Sequence, residues 1–108
     1  MQHLSAPQLA QALSAQANSA RLQLLDVREP WEVEIASLPE SIAIPMGEIT
    51  ERFGELDRSE PIVCICHHGV RSLQVGMFLE RQGFENVINL TGGIDAWAKL
   101  VDTSCPSY

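Results

Sequence analysis

The chain has 108 residues, of which 45% are hydrophobic, and it carries a formal net charge of −7. This length fits one domain, so we predict a single domain over residues 1–108, with enough chain to bury a core without disulfides or structural metals. The negative charge argues against nucleic acid and anionic membranes as partners, because binding to phosphate needs a basic face. An anionic ligand would have to be attracted by a local positive site.

The N-terminal stretch and the cysteines indicate a reducing compartment. MQHLSAPQLAQALSAQ has neither the basic start nor the apolar segment of a signal peptide. No apolar run approaches the roughly 20 residues that span a bilayer. The three cysteines are an odd number, and nothing marks secretion. We therefore predict a cytoplasmic protein with free thiols.

The first half of the chain alternates helical and extended patterns. SAPQLAQAL predicts a helix capped by Ser5, with Gln8 three residues later. RLQLLDV and SIAIP are typical of short strands. The charged stretch between them, REPWEVEIASLPES, is predicted to be a loop with at most one helical turn. GEITERFGEL has helical spacing that is interrupted at Gly54.

The second half continues this alternation. PIVCIC is a continuous apolar run, typical of a strand buried on both faces. RSLQVGMFLERQG predicts a helix that ends at Gly83. ENVINL predicts a strand, TGG a turn and IDAWAKLV a last helix before an irregular tail. Alternating strands and helices predict an α/β fold with a mainly parallel sheet and helices on both faces.

The stretch CICHHGVRS, residues 64–72, joins the buried strand to the helix after it. Ligands of open α/β sheets bind there, outside the carboxyl ends of the strands. The free N–H groups of the helix, with Gly69 allowing the backbone to curl, would form a ring that binds an anion or stabilises a thiolate. Such a setting lowers a thiol pKa from about 8.5 into the range ~3.5–7.5. Cys66 stands at the mouth of this ring, whereas Cys64 is predicted to be a buried, inert thiol.

A metal site and a disulfide both fit this loop poorly. CxCHH lacks the gaps of structural zinc sites, and His3 and Cys105 are isolated. We therefore predict no metal. Cys64 and Cys66, at positions i and i+2 of a strand, would lie ~6.6–6.8 Å apart at Cα, the long limit for a disulfide.

A cysteine-dependent phosphatase is a more specific alternative, because it requires a defined spacing. It needs five residues between the cysteine and an arginine, so that the loop wraps a tetrahedral phosphate. Here four residues separate Cys66 from Arg71, and six separate Cys64 from it. The shorter loop should enclose a smaller group, such as the outer sulfur of a persulfide.

Taken together, these segments resemble a single-domain rhodanese-type sulfurtransferase over nearly the whole chain. LLDVREPWEVEIASLPESIAIP resembles the family's DVRE…E…IPGAINIP segment, CHHGVRS its active-site loop, and FENVINLTGGIDAW its closing strand, turn and helix. The pattern departs at residues 36–41, where ASLPES stands in place of Gly-His-Ile-Pro-Gly-Ala. This departure concerns local packing and leaves the loop intact.

The resemblance implies a five-stranded, mainly parallel sheet and a sulfur-transfer reaction. The Cys66 thiolate would take the outer sulfur of a donor such as thiosulfate, release sulfite and carry a persulfide. A thiol or cyanide would then accept the sulfur, and no cofactor is implied. The donor partner would be a small molecule or a protein persulfide. The loop residues predicted to bind substrate are His67, His68, Gly69, Val70, Arg71 and Ser72.

The side chains of this loop leave alternatives open. Arg71 could attract an anionic donor, which we favour slightly, or pair with an acidic residue of DVRE. His67 and His68 could supply charge or hydrogen bonds, although loop histidines more often matter through their backbone amides. Cys105 is predicted to be an incidental exposed thiol.

Other residues are predicted to be structural. Asp26 and Arg28 should take part in structural pairing around the loop, and Trp97 and Phe84 should lie in the core. Two further predictions concern groups of residues: a conformational role for Gly92 and Gly93, and a solvated acidic face of Glu29, Glu32 and Glu34.

Two other functions stay open. One is a non-catalytic rhodanese-like module that binds or regulates a partner, against which the intact Cys66 and glycine loop argue. The other is a phosphatase or arsenate reductase on the same fold, against which the loop length argues.

Overall fold

A computed structural model describes residues 1–15 and 22–108 of the chain. Its five strands form one sheet in the order β1-β5-β4-β2-β3, and every neighbouring pair is parallel. The strands are β1 (Gln2–Leu4), β2 (Gln23–Asp26), β3 (Ile42–Ala43), β4 (Ile62–Ile65) and β5 (Val87–Leu90). The predicted fold class, α/β with a mainly parallel five-stranded sheet, is confirmed.

Helices cover both faces of this sheet. They are α1 (Ala6–Ala15), α2 (Pro30–Ile35), α3 (Ile49–Arg52), α4 (Val70–Arg81) and α5 (Gly93–Leu100), with 3-10 turns at Met46–Glu48 and Phe53–Glu55. Successive residues of β4 point to opposite faces. Cys64 joins a core that includes α3 and α4, whereas Val63 and Ile65 join a core that includes α1 and α5. This two-sided burial explains the continuous apolar run of β4.

Local sequence signals set the ends of two helices. The backbone N–H of Gln8 donates to Ser5 Oγ at 3.3 Å, and the Ser5 N–H donates to Gln8 Oε1 at 2.9 Å. This reciprocal capping box starts α1 as predicted. Gly83 follows α4 with a φ of 94°. Such a left-handed residue is the usual end of a helix.

The structure differs from the sequence prediction at two elements. The strand β1 was not predicted, because an exposed three-residue edge strand has too few residues to show a period. The stretch predicted as a loop holds the six-residue helix α2, which starts with a capping box between Glu29 and Glu32. Arg21, at the start of the predicted strand RLQLLDV, lies outside the described residues.

The departure from the family pattern at residues 36–41 is accommodated locally. Leu38 is buried in the core that α1 and α5 cover. Glu40 stands where the pattern has its second glycine and adopts a positive φ of 64°. A residue other than glycine in this region carries a cost of about 1–2 kcal/mol. The turn therefore carries local strain at Glu40.

The carboxyl ends of the central strands meet at one edge of the sheet. Asp26 ends β2 and lies in register with Ile65, which ends β4. The loop before α4 and the turn before α5 both start from this edge. None of the helices within residues 1–15 and 22–108 is long and apolar enough to cross a membrane.

Candidate active site

Cys66 follows β4 directly and is 1% exposed. The backbone N–H of Gly69 donates a hydrogen bond to its sulfur at 3.0 Å. The N–H groups of His68 and Ser72 also favour its charged form. Gly69 has a φ of 104°, and a side chain there would press on the backbone of Leu90. Glycine thus lets the chain curl under the sulfur before α4 begins.

The two neighbouring thiols differ in their pKa values. Burial raises the pKa of Cys66, but hydrogen bonds from the Ser72 hydroxyl and the loop amides outweigh it, so the pKa lies below its ordinary value. Burial, with a smaller contribution from the charge on Cys66, raises the pKa of Cys64 to about 12. Cys66 is therefore the thiol that ionises, and Cys64 is inert, as predicted.

A short polar chain connects the sulfur to β5. The Cys66 thiol donates to Ser72 Oγ at 3.4 Å, and the Ser72 hydroxyl donates to Asn89 Oδ1. When Cys66 ionises, the single hydroxyl proton of Ser72 can turn from Asn89 to the thiolate. The Asn89 side-chain N–H donates in turn to the Gly69 carbonyl at 3.2 Å. Asn89 is buried, and its hydrogen bonds to Ser72 and to the Gly69 carbonyl hold the loop in place. This role of Asn89 was not predicted, although a single asparagine inside the apolar run ENVINL is a signal of a buried, hydrogen-bonded side chain.

Replacing Ser72 with alanine should raise the pKa of Cys66, because a hydrogen bond to the thiolate is lost. A charged hydrogen bond contributes about 1.5–3 kcal/mol, so alkylation of Cys66 below its pKa should slow by at least about tenfold. Because only the thiolate reacts, the rate in both proteins should fall as the pH falls through the folded-state pKa. The measurement is the rate of iodoacetamide labelling against pH.

Ser59→Ala is the matched control, since its hydroxyl donates to Asp57 in the exposed turn before β4, at the opposite end of that strand from the loop. This variant should keep the wild-type profile. An unchanged profile in Ser72→Ala would show that the hydroxyl does not stabilise the thiolate.

Arg71 turns toward α2 and forms a bidentate ion pair with Glu32. The two N···O distances are 2.7 and 2.9 Å. Its partner therefore comes from α2 and not from the DVRE stretch. The prediction of a solvated Glu32 is wrong, because this side chain is only 5% exposed. Glu29 and Glu34, by contrast, are exposed as predicted.

Glu32 is held as a carboxylate by its surroundings. Hydrogen bonds from Arg71, opposed by burial and helped by the N–H of Glu29 and the hydroxyl of Tyr108, lower its pKa to about 2. The same ion pair raises the pKa of Arg71. The pair therefore stays charged at every pH at which the protein would work.

A second ion pair lies beneath the first. Arg28 is fully buried and binds both carboxylate oxygens of Asp26, at 2.9 and 2.6 Å, as predicted. Its Nη1 donates to the Tyr108 hydroxyl at 2.8 Å, and that hydroxyl donates to Glu32 at 2.8 Å. Tyr108 thus connects the two ion pairs and ties the C-terminal tail to the loop.

Glu32→Gln should destabilise the fold, because Arg71 and Tyr108 would lose a charged acceptor. We expect about 2 kcal/mol, less than the ~3–5 kcal/mol of a fully buried pair because Arg71 is about one-third exposed. The depressed Glu32 pKa gives stability that is complete above its ordinary value of 4.5 and is lost as the pH falls toward about 2. Urea unfolding at several pH values would measure the difference.

Glu55→Gln, which breaks an exposed pair with Arg52, is the control and should cost under about 1 kcal/mol. If the difference between wild type and Glu32→Gln stayed constant down to pH 2, the ion pair would not be its cause.

The histidines lie on the outer side of the loop. The His67 ring stacks on Tyr108, with centroids 4.1 Å apart, and His68 is 63% exposed. Val70 is also exposed where the loop enters α4. Cys105, predicted to be exposed, is half-buried and packs against the core that includes α1 and α5. Burial raises its pKa, which leaves it a poor nucleophile.

The turn TGG fixes the loop from the side of α5. The Ile94 N–H donates to the Cys66 carbonyl at 2.9 Å, and the Asp95 N–H donates to the His67 carbonyl at 3.1 Å. Gly93 has a φ of 58°, and a side chain on it would collide with both of these carbonyls. The predicted conformational role of this glycine is confirmed.

Trp97 and Phe84 are buried in the two cores, also as predicted.

Fold and site together define an α/β protein in which backbone amides surround a cysteine sulfur at the carboxyl edge of a parallel sheet. The family model of the rhodanese-like domain matches residues 8–100. The chain therefore belongs to the rhodanese-like domain family.

Relatives and solved structures agree with this assignment. The chain is 34% identical to the thiosulfate sulfurtransferase GlpE of Pseudomonas syringae, over 84% of this chain and 82% of that protein. It is 36% identical to a sulfurtransferase of Allochromatium vinosum, over 77% and 78%. A rhodanese-like domain protein of Staphylococcus aureus has a TM-score of 0.83 at 28% identity, over 100% and 99%. Two other relatives, each 42% identical, are longer, and the chain spans 30% and 41% of their length.

Proposed function

We propose that this protein is a sulfurtransferase that carries a sulfur atom as a persulfide on Cys66. The observation behind the proposal is a buried cysteine whose sulfur accepts the Gly69 N–H at 3.0 Å at the start of a helix, and the lowered direction of its pKa agrees with this geometry. A thiolate held in this way is the nucleophile of covalent transfer chemistry. The names of two relatives, a sulfurtransferase and a thiosulfate sulfurtransferase, support the same chemistry.

The first half-reaction forms the persulfide. The Cys66 thiolate attacks the outer sulfur of a donor such as thiosulfate, and a new S–S bond forms. The old bond to the donor breaks, and sulfite leaves with its electron pair. In the second half-reaction a thiolate or cyanide attacks the outer sulfur, and the Cys66 thiolate is the leaving group. Atoms and charge balance without a cofactor or an outside oxidant.

The loop amides supply the main stabilisation in this mechanism. Backbone N–H groups of residues 67–72, with the start of α4 behind them, would bind the negative outer sulfur of the persulfide. We assign substrate binding to these amides and not to the histidine rings, because the His67 ring stacks on Tyr108 and the His68 side chain is largely exposed. Arg71 is neutralised by Glu32, so we assign it mainly to fixing the loop and less to attracting the donor.

The size of the loop supports sulfur over phosphate. Four residues separate Cys66 from Arg71, and the arginine is committed to Glu32. A phosphate would need a wider ring and a free guanidinium. A loop of this size fits a small sulfur donor, namely thiosulfate or the persulfide of a small thiol. It also fits the terminal sulfur of a persulfide on a partner protein.

Steady-state kinetics would test the proposal. With thiosulfate as donor and cyanide as acceptor, double-reciprocal plots should give parallel lines, the signature of a ping-pong mechanism. If thiosulfate is inactive, glutathione persulfide is the second donor to try. Failure with both donors would favour the non-catalytic module. Efficient hydrolysis of an aryl phosphate by the wild type would show that the argument from loop size is wrong.

A further inference from the structure

Three side chains with metal-binding atoms meet beside the loop. One ring nitrogen each from His67 and His68 and a carboxylate oxygen of Asp95 lie within 4.8 Å of one another. The histidines follow Cys66 in the loop, and Asp95 lies in the first turn of α5. This group differs from the CxCHH pattern, for which no metal was predicted. Both contain the two histidines, but this group adds Asp95 and does not include the cysteines.

The backbone holds these three side chains in place. Asp95 donates its N–H to the carbonyl of His67, and the preceding Ile94 donates to the carbonyl of Cys66. The close contact at Gly93 keeps the loop and α5 together at this point. The ligand atoms therefore come from two segments that are already joined, so little conformational entropy would be lost on binding.

One atom of this group of side chains lacks a protein partner. His67 Nε2 is buried and has no hydrogen bond within residues 1–15 and 22–108. A buried polar atom without a partner carries a desolvation cost that a bound ligand can offset. The Asp95 carboxylate, by contrast, is 3.1 Å from Lys99 and 3.7 Å from His68, so a cation would compete with Lys99 for it.

We propose that His67, His68 and Asp95 bind a divalent transition-metal ion of the Zn²⁺ class. Two imidazoles and one carboxylate are a common ligand set for this ion and leave one position open. The ion would sit on the two loop residues that directly follow Cys66 and on the first turn of α5, and not on the sulfur. Metal binding would then block sulfur donors reversibly. This inhibition rests on the proposed function, whereas the binding site does not.

Binding is tested without the Cys66 and Cys105 thiols, because cysteine sulfur is itself a Zn²⁺ ligand. In a Cys66→Ser, Cys105→Ser background, calorimetric titration with Zn²⁺ should show one site per chain. Asp95→Asn and His68→Ala should each weaken binding by at least about tenfold, the scale of losing a supporting group at a metal site.

His3→Ala is the matched control, since His3 lies in β1 outside the group, and should leave binding unchanged. Lys99→Ala should strengthen binding, because it removes a competitor for Asp95.

The outcomes separate the site from its consequence. Absence of Zn²⁺ binding, or binding that Asp95→Asn and His68→Ala leave unchanged, would overturn the site. In the protein with all its cysteines, Zn²⁺ should inhibit sulfur transfer and a chelator should restore it, while Asp95→Asn keeps the basal rate and loses the inhibition. Site-specific binding without inhibition would overturn the regulatory role. Because the titration needs no activity, failure of the proposed function leaves the test of the site intact.

Discussion

Cys66→Ser should lower the rate of sulfur transfer by a factor on the order of 10⁴ or more, the scale seen when a catalytic nucleophile is removed. A serine hydroxyl stays protonated at neutral pH and cannot carry a sulfur atom as a persulfide. The measurement is the initial rate with thiosulfate and cyanide. Circular dichroism and thermal unfolding should show that the variant keeps its fold, because serine replaces sulfur with a smaller atom at the same position.

Cys64→Ser is the matched control, with the same substitution two residues earlier, inside β4. Cys64 is fully buried in the core under α4, so a hydroxyl there should cost about 1–3 kcal/mol of stability. Its transfer rate should stay within a few-fold of wild type. If a folded Cys64→Ser protein lost transfer, or Cys66→Ser retained it, Cys66 would not be the sulfur carrier.

Gly93→Ala should disrupt the loop and the fold together. The new methyl group would collide with the carbonyl oxygens of Cys66 and His67, and the residue has a left-handed backbone at φ 58°. Both effects oppose the native arrangement, so we expect a loss of about 3 kcal/mol or more. Transfer activity should fall with it, because the loop amides would no longer converge on the sulfur. Urea unfolding gives the first quantity and initial rates give the second.

Gly54→Ala provides the comparison for this prediction. A side chain at Gly54 would meet no atom within 4 Å, and its φ lies outside the left-handed region. We expect a change within about 0.5 kcal/mol and full activity. Wild-type stability and activity in Gly93→Ala would contradict the close packing of α5 against the loop.

Local patterns made much of this site predictable. The order of a buried strand, a glycine loop and a helix placed Cys66 at the carboxyl edge of the sheet, and the structure has it there. Cys64 and Cys66 face the same core, and what separates them is position along the chain: Cys64 lies inside β4 and Cys66 directly after its last residue. These features depend on residues close together in the sequence, where spacing alone carries the information.

Contacts between distant segments were not predictable in this way. Glu32 and Arg71 are 39 positions apart, and no local pattern shows that a glutamate in a charged stretch turns inward to meet an arginine. Asn89 meets Ser72 because β5 lies beside β4, which depends on strand order. Tyr108 comes from an irregular tail that contacts both ion pairs.

The measurement that tests the central claim most directly is the intact mass of the reduced protein after incubation with thiosulfate or glutathione persulfide. Wild type and Cys64→Ser should each gain one sulfur atom, Cys66→Ser should gain none, and cyanide should remove the added mass. A sulfur atom gained by Cys66→Ser, or none gained by wild type from either donor, would contradict a persulfide carried on Cys66.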